Sequence, residues 1–137
     1  MKEPLAEFLV LSRGKWDDHA PEKEIEDTIA KFYDWLDRNV AEGRMKMGSR
    51  LKRERMVVGR KGITVDGPFN ETKEVIGGYW LIVARSLQEA AELAAENPCV
   101  QIGLTFEIRP LDSVCANVRT LANETPDSLA AIIRRDA

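Results

Sequence analysis

Hydrophobic and polar positions alternate with a period of two in some stretches of this chain and with a helical period in others. The switches between them mark its elements. In residues 5–11, Phe8 and Val10 fall on one side and Leu9 and Leu11 on the other. Both faces are apolar, so both require cover. Residues 12–20 are polar, with Gly14, Trp16, two aspartates and the single histidine, His19, and read as a loop. Pro21 suits a first helical turn, and Glu22 and Glu24 complement the dipole there. Ile25, Ile29, Phe32, Leu36 and Val40 then recur at spacings of three and four. Tyr33 and Trp35 flank that stripe, and Gly43 suits a left-handed cap, so a helix is predicted over about 21–42.

Residues 44–58 alternate apolar side chains (Met45, Met47, Leu51, Met56, Val57) with basic ones, broken by Gly48-Ser49. This predicts a half-buried strand and its continuation. Residues 59–62 form a hairpin turn, and 63–65 return as a short strand. Residues 79–84 are a strand with both faces apolar. Ser86 with Glu89 makes a capping box, followed by the stripe Leu87, Ala90, Ala91 and Ala94, and Asn97-Pro98 ends that helix. In residues 104–109, Leu104, Phe106 and Ile108 oppose Thr105, Glu107 and Arg109, and Pro110 stops the strand. Residues 112–137 are less regular, with a helix start at Thr125-Pro126-Asp127, and read as an appendage to a domain over 1–111.

Strand, helix, strand, hairpin, strand, helix, strand is the order of an α+β, ferredoxin-like split βαβ fold with an antiparallel sheet. Its middle strands are the first and third main strands, the two here that are apolar on both faces. Two helices cover one face of such a sheet. The expectation for the other is the sheet of a second copy, giving a homodimer with a barrel between the sheets.

Composition narrows this picture. The chain has 137 residues, 44% hydrophobic and 31% charged, with a net charge of −3. That fits one ordinary globular domain with no global basic field for nucleic acid or anionic lipid. No apolar run approaches a membrane span and no leader pattern opens the chain, so no membrane partner and a cytoplasmic location are expected. Cys99 and Cys115 form no C-x-x-C pattern and have no clustered histidines. Reduced thiols, a packed Cys99, no metal and no cofactor are the expectation. The basic stretch 50–55 with Arg60 and Lys61 lacks interleaved aromatics for base stacking and reads as a solvated strand face.

Candidate chemistry gathers on the stretch from Val65 to Trp80. Gly67 followed by Pro68 defines a turn, which Asp66 can cap through its own backbone. Asp66 is also a candidate acid or base, and the two roles are compatible. Lys73 is a candidate anion contact oriented by Glu71; an exposed loop ion pair is the plainer alternative. Glu107 and Arg109, opposite the apolar face of the last strand, are candidate cleft residues or a rim salt bridge.

Asp66-Gly67-Pro68-Phe69, Glu71-Thr72-Lys73-Glu74, Gly77-Gly78-Tyr79, Asn97-Pro98 and Glu107-Ile108-Arg109-Pro110 resemble the YCII-related proteins in their DGPF branch. The resemblance spans about residues 5–111. It implies a dimeric α+β barrel and, for some relatives, an association with alternative sigma factors. It also implies enzymes with a His–Asp pair in the cleft, where this sequence carries approximately Phe32 and Asn97. Two functional expectations therefore stand. One is binding of a small polar or anionic molecule near the Asp66 loop, with lyase- or isomerase-like acid–base chemistry. The other is a non-enzymatic dimeric interaction module linked to transcriptional regulation.

The loop generates one test. Gly67→Val should cost about 1 kcal/mol or more by removing a backbone freedom, against ~0–1 kcal/mol for Lys73→Ala. The urea midpoint should fall further for Gly67→Val; equal midpoints would contradict a special conformation at Gly67.

Overall fold

The computed structural model describes residues 4–65 and 76–111. The Asp66 to Glu74 stretch and the region after Leu111, with its helix start at Thr125, lie outside the described residues. Among the described residues, six strands and two α-helices follow in the order β1 (Ala6–Arg13), α1 (Glu22–Ala41), β2 (Met45–Arg50), β3 (Met56–Gly59), β4 (Gly62–Val65), β5 (Ile76–Ala84), α2 (Leu87–Ala94) and β6 (Thr105–Pro110). A 3-10 helix, Pro98–Ile102, precedes β6. The main sheet runs β2-β5-β1-β6, and β1/β5, β1/β6 and β2/β5 are all antiparallel. The two central strands are the two predicted to be apolar on both faces, and the alternating last strand lies at an edge.

Both helices pack on the same face of the sheet. Phe8 and Val10 from β1, Trp80, Ile82 and Ala84 from β5, and Met45 from β2 meet Trp35 and Leu36 of α1 and Ala90, Leu93 and Ala94 of α2. Phe32, Val40, Phe106 and Ile108 close the margins of this core. Ala90 is fully buried; a side chain of one methyl group lets α2 lie close to the sheet. Ser86 caps α2, its hydroxyl accepting from the Glu89 N–H at 3.1 Å. Gly43 follows α1 with φ 78°, a left-handed cap that favours glycine.

Four expectations are corrected. β1 runs on to Arg13, because Ser12 and Arg13 keep pairing with Phe106 and Thr105 of β6. Trp35 does not flank the core but lies in it, with Leu36, Asn39 and Thr28, because the buried face of α1 is wider than a single apolar stripe. The amide nitrogen of buried Asn39 donates to the Trp35 carbonyl at 2.8 Å, which offsets part of the cost of burying it. On α2 the buried apolar anchor is Leu93, three residues after Ala90, whereas Leu87 in the first turn is exposed. Finally, the basic–apolar stretch 44–58 is not one half-buried strand. Only Met45 of its apolar side chains is buried, and β3 leaves the main sheet to pair with β4 alone.

Gly48 has a physical reason to be glycine. The β2/β5 register shifts between Lys46 and Ser49, a bulge that brings the two backbones together. A Cβ on Gly48 would collide with the Tyr79 carbonyl. Gly48→Ala should therefore destabilise by about 1–3 kcal/mol. Gly59→Ala, with open space around it, should change stability by at most about 1 kcal/mol. Chemical denaturation checks the order of the two; equal midpoints would contradict the close approach.

Candidate functional site on the open sheet face

The sheet face away from the helices carries the arrangement with most chemical content. Its rows follow from the strand registers. Across one row run Arg109, Leu9, Leu81 and Lys46; across the next run Glu107, Leu11, Tyr79 and Ser49; Glu7 stands opposite Val83. Leu9, Leu11, Leu81 and Val83 are half-buried and Tyr79 is exposed. The face thus has an apolar centre bordered by charge on both sides.

On the β6 side, Arg13 donates to Glu107 Oε1, and Arg109 donates to Glu107 Oε2 at 3.4 Å. One carboxylate is thereby shared by two guanidinium groups. A guanidinium has five N–H donors in a planar fork, and Arg109, about half exposed, spends one of them here. Its remaining donors suit a carboxylate or phosphate. On the β2 side, Lys46 reaches over β5 to Glu7 and forms an ion pair.

Of the five side chains singled out from sequence, Glu107 and Arg109 are brought together on this face. Asp66, Glu71 and Lys73 lie outside the described residues. Arg13 was missed because the sequence reading ended β1 at Leu11. The signal was present: Arg13 continues the spacing of Leu9 and Leu11 and so shares their side of the strand. His19 is exposed on its loop. Among the described residues no group of three or more His, Cys, Asp or Glu could hold a metal ion, and no helix is long and apolar enough to cross a membrane.

The helical side has a different character. Phe32 is packed among aromatic rings, 5.5 Å from Trp80, 6.1 Å from Trp35 and 5.1 Å from Tyr33 between centroids. Trp80 also meets Phe106 edge-on at 5.5 Å. Phe32 therefore contributes packing where the family resemblance implies a histidine. Asn97 is buried and caps the 3-10 helix, its Oδ1 accepting from the Cys99 N–H at 2.8 Å. An open cavity of about 560 Å³ lies between α1 and the 3-10 helix. Its charged walls, Lys23, Glu24, Asp27 and Lys31, are all exposed, and Lys23 pairs with Asp27 at 3.2 Å. It is a solvated surface groove, and the open sheet face, with its apolar centre and its carboxylate shared by two guanidinium groups, is the stronger candidate.

Set against known proteins, the YCII-related domain matches residues 6–112. The chain belongs to the YCII-related family. An uncharacterised protein of Rhizobium meliloti (strain 1021) is 43% identical over 53 residues, which is 36% of this chain. The match spans 40% of that relative's length.

Cys99 of this YCII-related chain is a buried free thiol. Burial raises its thiol from 9.0 to about 11. The folded chain therefore favours the neutral thiol, and the associated stability is present below about pH 9 and is lost as pH rises through about 11. At pH 8 the thiol should resist alkylation until denaturant is added, as read by mass mapping of the Cys99 peptide. Rapid labelling of the native chain would contradict this burial.

Proposed function

We propose that this YCII-related chain, a member of the DGPF branch, works as a pair of copies that binds a small polar or anionic molecule. The binding cleft lies between their open sheet faces, beside the loop that begins at Asp66. The observation that carries this reading is the open face itself. Apolar Leu9, Leu11, Leu81 and Val83 form its floor, and Arg109 stands at its rim with guanidinium donors to spare. A small anion with an apolar body fits both features: Arg109 would take the charged end and the leucines the body. In the enzymatic form of the proposal, Asp66 serves as acid or base, and Lys73, oriented by Glu71, is a further anion contact.

The packing of Phe32 and the capping role of Asn97 favour a second reading, a non-enzymatic interaction module in a regulatory setting. Neither side chain supplies a proton-transfer pair. A partner captured by the full chain and lost on deletion of residues 112–137 would support that reading.

A thermal-shift screen of small carboxylates and phosphates tests the first. A ligand at about 100 times its Kd stabilises by about 2.7 kcal/mol. The stabilisation should disappear in Arg109→Ala and Lys73→Ala and persist in Lys23→Ala, on the helical side. Equal stabilisation in all three variants would overturn it.

A further inference from the structure

We propose that the β3–β4 ribbon is an arm that lays its apolar face against a second copy of this chain. The proposal rests on the two-copy reading above and adds to it a second contact that the sheet face does not supply. β3 and β4 form a two-stranded sheet of their own and pack against no other described element. Their register sets Met56 opposite Val65 and Val58 opposite Ile63, so Met56, Val58 and Ile63 share one face. These three are 69%, 74% and 67% exposed. An isolated two-stranded ribbon is marginal in water, and a cluster of large apolar side chains on a projecting element marks an interaction surface.

Two observations favour a second copy as the occupant. The first is continuity. The ribbon leaves the sheet where Leu51 N–H donates to the Gly77 carbonyl at 2.9 Å. Leu51 and Ile76, both exposed, flank this junction, and exposed Tyr79 stands on the open sheet face three residues after Ile76. On the two-copy reading, a copy seated on that face comes close to the point where the ribbon departs. The second is charge. Residues 51–65 hold Lys52, Arg53, Arg55, Arg60 and Lys61 against a single acid, Glu54, in a chain of net charge −3. The rest of a second copy is therefore net acidic, opposite in sign to the ribbon, and this favours their association.

The test uses the full chain. Sedimentation equilibrium first gives the dimer dissociation constant, and amide hydrogen exchange is then followed above and below it. Amides of residues 56–63 should exchange at least tenfold more slowly in the dimer. The double substitution Val58→Asp with Ile63→Asp should raise the dissociation constant at least tenfold while circular dichroism stays unchanged. A dimer whose ribbon exchanges at the same rate as the monomer's, or whose dissociation constant moves less than twofold in the folded double variant, overturns the arm alone. A wild-type chain that stays monomeric overturns the two-copy reading and the arm together. The exchange measurement needs no variant, so it decides the matter even where the double substitution fails to fold.

Discussion

The constraint on which the rest of the structure depends is that its two central strands are apolar on both faces while the two described helices cover only one. β1 and β5 send Phe8, Val10, Trp80, Ile82 and Ala84 into a core closed by α1 and α2. The same strands send Leu9, Leu11, Leu81 and Val83 to a face that neither helix reaches. Each element is ordinary by itself. Among the described residues their combination leaves a sheet with one side packed and one side half-buried, and apolar surface left in water drives association at about 25 cal/mol per Å² buried. Association also costs translational and rotational freedom, so the area must be large and complementary before it prevails.

That unfinished face is also where charge has been arranged. Arg13, Glu107 and Arg109 border it on one side, and Glu7 with Lys46 on the other. On the proposed two-copy arrangement these borders become the rim of a cleft whose floor is apolar. Among the described residues the helical side has a different character: its aromatic cluster around Phe32 and Trp80 is packing, and its groove beside α1 is lined by solvated charge.

The fold was legible because period and punctuation agreed. The helical spacing in α1, the Ser86 cap and the alternation in β6 each predicted an element of the right type. The apolar doubling of the first and third main strands identified the sheet centre. The misreadings have physical causes. Trp35 looked like a flank because a stripe was drawn too narrow for a helix lying on a sheet. The basic–apolar run before Gly59 looked half-buried because alternation reports a strand without saying which sheet it joins. At the site, Glu107 and Arg109 were found through alternation alone. Arg13 was passed over because a polar residue after an apolar run reads as a loop, although β6 holds it in the ladder.

The account turns on the open face being buried by its counterpart in a second copy. Sedimentation equilibrium at micromolar concentration, run on the wild-type chain and on Leu81→Lys, tests that most directly. Leu81 lies at the centre of the open face, opposite Leu9 and Lys46, and a lysine there sets like charges against each other across a two-fold contact. The account predicts twice the 15.4 kDa chain mass for the wild type and the single chain mass for a folded Leu81→Lys. A wild-type monomer, or a Leu81→Lys chain that remains as fully dimeric as the wild type, would contradict it.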